Sequence, residues 1–192
     1  MFRSYKTEAI ILKRRNFGEA DRILTIFTKH NGKITVKAPG VRRITSRRSS
    51  HIELLNLSIF TLYKSSKTFF PIVTEAQTLE DFFPIKDNLE KIGYAYYICE
   101  LISGLCPENQ ENSSVFFYLK ATLSDLALAS NGKNIVKNFE KNLLAELGFW
   151  SEAKLLQTQD SRVVMERLLE RKLKTIRMIP LFAESDSILS PD

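Results

Sequence analysis

The run Asp21-Arg-Ile-Leu-Thr-Ile-Phe-Thr-Lys-His-Asn-Gly-Lys-Ile-Thr-Val-Lys-Ala38 decides the architecture of the N-terminal part of this 192-residue chain. Ile23 to Thr28 is rich in β-branched and aromatic side chains. Lys33 to Ala38 alternates polar and apolar residues strictly, the period of a strand with one buried face. Between them His30-Asn31-Gly32 carries the Asn-Gly pair that marks a short hairpin. Strands are therefore expected at 21–29 and 33–38. Thr7 to Arg15, with Ala-Ile-Ile-Leu, precedes the hairpin, and Ile52 to Tyr63 and Thr68 to Ala76 follow it. Five short strands in about 75 residues suggest a small barrel of the oligonucleotide/oligosaccharide-binding (OB) type.

The connection after the hairpin, Ala38-Pro-Gly-Val-Arg-Arg-Ile-Thr-Ser-Arg-Arg-Ser-Ser50, holds four arginines in turn-forming sequence. Paired guanidinium forks in a loop match phosphate oxygens in geometry, although a plain solvated loop would share the composition. Charge bears on the choice. Residues 1–50 carry thirteen basic against three acidic side chains, a net of +10; the whole chain is +6, so the other 142 residues sum to −4. Such asymmetry points to a polyanionic partner, nucleic acid first and an anionic membrane surface second.

From Leu79 onward the periodicity becomes helical. Asp87 with Glu90 reads as a capping box for a helix through Leu89, Ile92, Tyr96, Cys99, Ile102 and Cys106, stopped by Pro107. Further helices are expected over Val115 to Ala129, over Ile135 to Leu147 with Gly148 as a left-handed cap and Phe149 folding back toward Leu144, and over Arg162 to Met178. The expected class is α+β: an N-terminal five-stranded OB-fold β-barrel (1–80), a C-terminal all-α helical domain (81–182) and a flexible acidic tail (183–192). No apolar run approaches the roughly 20 residues that span a bilayer, and a cytoplasmic protein is expected.

Cys99 and Cys106 sit two helical turns apart, about 10 Å between Cα atoms, beyond disulfide reach and better read as small buried hydrophobes. With His30 and His51 the only histidines, no metal site is expected. Gly32-Lys33 and Gly132-Lys133 lack the rest of a phosphate-binding P-loop, and no nucleophile elbow or paired carboxylate occurs, so no catalysis and no cofactor are expected.

The segment Thr7 to Ile34, with Gly18-Glu19, Asp21-Arg22 and Gly32-Lys33, followed by Gly40 with Arg42-Arg43, resembles the bacterial recombination mediator RecO family; Leu143-Leu-Ala-Glu-Leu-Gly-Phe149 extends the likeness. The resemblance implies an OB-fold and a helical domain that bind single- and double-stranded DNA. It also implies annealing of strands coated by single-strand-binding protein, with that protein's C-terminal tail as a contact, joint action with RecR in loading RecA, and a place at the bacterial nucleoid. Many members carry a four-cysteine zinc site after the helix matching Leu143 to Gly148; Phe149 to Asp160 has no cysteine, so that metal is not carried over.

The DNA-binding candidates are Arg14, Arg15, Arg22, Lys33, Lys37, Arg42, Arg43, Arg47 and Arg48, with Phe17, Tyr63 and Phe69 as possible base-stacking platforms. Half or more of the barrel aromatics are expected in the core. Asp21 is expected to cap the turn at Gly18, with Arg22 facing outward or touching DNA. In the last helix Arg162 with Glu166, Arg167 with Glu170 and Glu170 with Lys174 are expected pairs. Val163, Val164, Leu168, Leu169, Leu173 and Ile176 are its expected buried stripe, and Arg171 and Arg177 are left for DNA or a partner. If about five to seven phosphates are neutralised, log affinity for single strands falls with log salt at a slope on the order of −4 to −5. Two other readings stay open: a protein adaptor with incidental DNA affinity, and an RNA-binding OB protein. A membrane-surface role fits least, because the basic residues fall on strands and loops.

Overall fold

The computed structural model describes residues 3–149, 151, 154 and 159–175. Strands β1 (Arg3–Phe17), β2 (Asp21–Thr28), β3 (Gly32–Ala38), β4 (Leu57–Lys64) and β5 (Ile72–Glu80) close into a barrel in the order β1-β2-β3-β5-β4. This is the expected OB-type architecture, followed by helices α1 (Phe83–Lys86), α2 (Leu89–Leu105), α3 (Ser113–Leu128), α4 (Lys133–Glu146) and α5 (Ser161–Leu169). The chain divides into two compact units. One is the barrel to Asp81 together with Pro107–Phe117; the other is Phe82–Cys106 with the chain from Tyr118 onward.

In the barrel, β1 serves two neighbours. Residues Arg3 to Ile10 pair with β4, and Ala9 to Phe17 pair with β2 after a register shift between Ile11 and Lys13. One extra residue there lets a single long strand bend from one partner to the next. Alternation does the rest, putting Ile11, Leu24, Ile26, Ile34, Val36, Phe60, Leu62 and Val73 into one core. Of Phe17, Phe27, Phe60, Tyr63, Phe69 and Phe70, only Phe27 and Phe60 are fully buried, fewer than the expected half. The one weak seam is β3 to β5, a parallel contact at Lys37 and Ile72, where the Lys37 amide donates to the Pro71 carbonyl at 2.9 Å.

The strand limits differ from the sequence expectation in two places. β4 starts at Leu57 because Ile52 ends a short 3₁₀ turn and Leu55 takes a left-handed φ of 70°; both are buried loop residues. β5 runs from Ile72 to Glu80, since Ser65 to Thr68 form a turn and Phe69 stands in solvent.

The β2–β3 loop turns at Gly32 alone (φ +60°), with Thr28 Oγ1 donating to the Gly32 carbonyl and accepting from the Asn31 amide, each at 2.9 Å. Pro107–Phe117 packs against this hairpin. The Asn109 amide donates to the Lys33 carbonyl at 2.9 Å, His30 Nδ1 lies 3.3 Å from Glu111, and Lys29 Nζ sits 5.3 Å from the Phe117 ring centre.

In the helical unit, Asn88 caps α2 by accepting from the Lys91 amide at 2.8 Å; Asp87, expected in that role, instead ends α1. Tyr97, Ile98, Leu101 and Ile102 on α2 are fully buried, and the Tyr118 and Phe139 rings stack at 5.4 Å. Cys99 and Cys106 are buried and are not joined in a disulfide. Burial pushes the Glu140 carboxyl above its usual range, and it accepts the Tyr97 hydroxyl. α4 ends as expected: Gly148 is left-handed, its amide bonds Ala145, and the Phe149 amide returns to the Leu144 carbonyl at 2.8 Å.

α5 is half its expected length. Glu170 turns left-handed (φ 51°), and Arg171, with the amides of Lys174 and Thr175, converges on the buried Glu100 carboxylate of α2 at 2.7–3.2 Å. Of the expected stripe, Val164 and Leu173 are buried, Leu168 and Leu169 are half-buried, Val163 is 57% exposed and Ile176 lies outside the described residues; Met165 is buried in addition. Arg162 pairs with Glu166 at 3.2 Å as expected; Glu170 instead forms the left-handed cap. Burial alone would raise the Glu100 pKa, but bonds from Thr175, Arg171 and Lys174 outweigh it and hold the carboxyl below its ordinary range. A group with a lowered folded pKa stabilises above its unfolded value and loses that stability on protonation. Glu100→Ala should therefore cost about 3 kcal/mol at neutral pH. In urea titrations that difference should shrink as pH falls below the usual carboxylate range; a difference flat down to pH 3 would contradict the clamp.

Candidate nucleic-acid interface

The arginine-rich segment between β3 and β4 is built, not loose. Successive turns link the Arg43 amide to Gly40, Ser46 to Arg43, Ser49 to Ser46 and His51 to Arg48. Buried Val41 and Ile52 pin it to the barrel, and the Arg42 amide donates to the Ala20 carbonyl at 2.9 Å. Asp21 fastens its base: one carboxylate oxygen accepts the Gly40 amide at 2.8 Å and the other lies 2.9 Å from Lys37. The Lys37 contact first and the Gly40 amide second lower the Asp21 pKa. Asp21 thus caps the turn at Gly40, not the one at Gly18, because β2 and β3 pair directly and bring position 21 beside the end of β3.

The nine basic candidates divide sharply. Arg48 is half-buried and spans the weak seam of the barrel, donating to the Val73 carbonyl of β5 and to the Pro39 carbonyl at 2.7 Å. Arg14 and Arg22 share the Glu53 carboxylate, Arg22 at 3.2 Å. Lys37 is held by Asp21 and covers the Phe17 ring at 5.1 Å. Lys33 is only 8% exposed, at the far end of β3, roughly 17 Å along the strand from Ala38; it does not join the cluster. Arg15, Arg42, Arg43 and Arg47 remain exposed. Arg42 reaches the Gly18 carbonyl at 3.2 Å, which draws the loop and the β1–β2 turn together at one end of the barrel. Arg43 and Arg47 line an open groove of about 760 Å³ floored by Thr74, Glu75 and Ala76 of β5. The Glu75 carboxylate in that floor accepts the Thr61 hydroxyl at 2.9 Å.

Of the three aromatic candidates, Phe17 is 45% exposed with Lys37 on its ring, Tyr63 is half-buried on β4, and Phe69 is 91% exposed beside Phe70. In the helical unit Arg171 is committed to Glu100, and Arg177 lies outside the described residues, as does the expected tail at 183–192. Glu53 was not singled out from sequence, yet it is the only acidic residue between Ala38 and Leu57, and that isolation among arginines is a readable signal.

A four-thiolate zinc site does not fit this chain. Its two cysteines are both buried around α2, and among the described residues no three His, Cys, Asp or Glu side chains gather as metal ligands. Among the described residues no helix is long and apolar enough to cross a membrane.

Comparison with known proteins agrees with the barrel and the helices in series. The family model for Recombination protein O, N terminal, matches residues 1–82, and that for Recombination protein O, C terminal, matches residues 86–151. Proteins named DNA repair protein RecO are similar: that of Pelotomaculum thermopropionicum is 35% identical over 76% of this chain and 56% of its own length. That of Dehalococcoides mccartyi is 38% identical over 77% and 58%, and that of a Roseiflexus species 38% over 77% and 51%. The chain thus spans little more than half the length of the curated relatives it matches. Two models of one family matched in order, one on the barrel and one on the helices, and relatives of one name sharing over a third of residues across three quarters of the chain, lead to one assignment: this chain belongs to the RecO family of DNA repair and recombination proteins.

Proposed function

We propose that the chain is a non-enzymatic DNA-binding recombination mediator of the bacterial cytoplasm and nucleoid. It anneals complementary strands and, with RecR, helps load RecA onto single-stranded DNA coated by single-strand-binding protein. The observation that carries this reading is the braced loop presenting Arg42, Arg43 and Arg47 at the end of an OB-type barrel, in a family of DNA repair proteins. Annealing needs no catalytic group: neutralising two phosphate backbones lowers the barrier to their encounter.

Four exposed arginines, rather than nine basic side chains, set the expected salt dependence. At about −0.7 per phosphate on single strands, the slope of log affinity on log salt should be on the order of −3. Fluorescence anisotropy of a labelled single-stranded DNA titrated at several salt concentrations measures it, and a matched RNA competitor separates DNA from RNA recognition. No binding at low salt would overturn the reading. The adaptor reading would then take its place, since Arg14, Arg22, Lys37 and Arg48 are already engaged by protein groups.

A further inference from the structure

We propose that the β4–β5 turn is a stacking platform for unpaired bases, and that one single strand crosses the β3–β5 seam from the arginine loop onto it; this rests on the DNA-binding reading above. Phe69, directly after the hydrogen-bonded Ser65–Thr68 turn, is 91% exposed, a large apolar ring left in water. The backbone that leads to it is braced. The Thr68 amide and hydroxyl both donate to the Ser65 carbonyl at 3.2–3.3 Å, and the Lys67 amide donates to Ser65 Oγ at 3.1 Å. Phe70 packs edge-on against the Phe69 ring, 4.7 Å between centroids at 86°. The braced backbone and the Phe70 contact lower the ordering cost of presenting the ring to a ligand.

Phe69 borders a groove of about 290 Å³ whose lining includes the apolar groups of Tyr5, Ile34, Phe70 and Pro71 together with Lys64. Asn31 and Asn109 in the same lining are polar groups suited to base edges, while the Glu108 carboxylate would repel a phosphate and Lys64 would attract one. Charge decides the occupant: Lys64 lines the same groove as Phe69, exposed Lys67 lies two residues before it in the chain, and the groove bordered by Arg43 and Arg47 begins at Thr74, five residues along the chain from Phe69. That separation spans at most about 18 Å, well inside the roughly 4 to 16 nucleotides that one OB fold covers. An apolar ring between two basic surfaces is matched to a polyanion with exposed π faces, which duplex DNA does not offer.

The test is anisotropy with a fluorescein-labelled oligo-dT and a labelled duplex of equal length, on the full chain and its Phe69→Ala and Phe69→Tyr variants. Phe69→Ala should bind oligo-dT roughly 5- to 100-fold more weakly with an unchanged salt slope. Phe69→Tyr should restore binding, and duplex affinity should stay constant. Equal oligo-dT affinity of wild type and Phe69→Ala would overturn the platform and turn the groove over to a protein segment, leaving the DNA-binding reading intact. An equal loss on duplex would overturn it as well, and a wild type that binds neither probe would sink the reading itself.

Discussion

Replacing Arg42, Arg43 and Arg47 together with alanine should weaken single-stranded DNA binding roughly 100-fold at 0.1 M salt and flatten the salt slope from about −3 to about −1. All three side chains are exposed; the substitutions remove the exposed Arg42–Gly18 hydrogen bond but leave the loop's backbone turns, Val41, Ile52 and Asp21 in place. Stability should therefore stay within about 0.5 kcal/mol of wild type. The loss should be alike for all sequences, because phosphate contacts carry no base information. Arg48→Ala is the contrast. Its guanidinium joins the Pro39 and Val73 carbonyls where β3 and β5 share a single residue pair, so its removal should cost about 2 kcal/mol of stability. A triple variant that keeps the wild-type slope would remove the loop from the DNA path. A fully stable Arg48→Ala would mean the seam needs no brace.

Much of the barrel is legible in the chain because a two-residue period has few physical causes other than a strand with one wet face. The reading fails where an apolar residue is buried for another reason. Ile52 and Leu55 plug the barrel from a loop, and their hydrophobicity made the approach to β4 look like strand. Phe69 and Phe70 have β-favouring chemistry, yet they lie between the Ser65–Thr68 turn and β5, with Phe69 in water. α5 shows the limit of local patterns. Its sequence supports a helix to Met178, but Glu170 turns left-handed and Glu100, some seventy residues earlier, captures the amides of Lys174 and Thr175, which a continued helix would have bonded to its own carbonyls.

The candidate site divides along the same line. Charge asymmetry and the Arg-Arg doublets are properties of composition and need no fold to be seen. Which cations stay available depends on distant carboxylates and carbonyls: Glu53 lies 39 residues from Arg14, and Val73 lies 25 from Arg48. Sequence counts the positive charges, while tertiary pairing decides which of them a phosphate can reach. Hence the expected slope changes from about −4 to −5 to about −3.

Gly32→Ala should destabilise the protein by about 3 to 4 kcal/mol, well beyond the roughly 1 to 2 kcal/mol that a left-handed residue with a side chain costs by itself. Gly18 provides the control. Both glycines have nearly the same positive φ, +59° and +60°, but a Cβ at Gly18 would meet nothing within 4 Å, whereas one at Gly32 would stand 1.7 Å from the backbone oxygen of Gln110. No rotamer change relieves a collision with backbone, so Pro107–Phe117 would have to lift from the β2–β3 hairpin. That would release the Asn109 amide from Lys33 and part His30 from Glu111. Urea unfolding of the two alanine variants isolates the packing energy by difference, and hydrogen exchange at the Asn109 amide locates it. If Gly18→Ala and Gly32→Ala lose equal stability, the segment from Pro107 to Phe117 is not part of the barrel unit in solution.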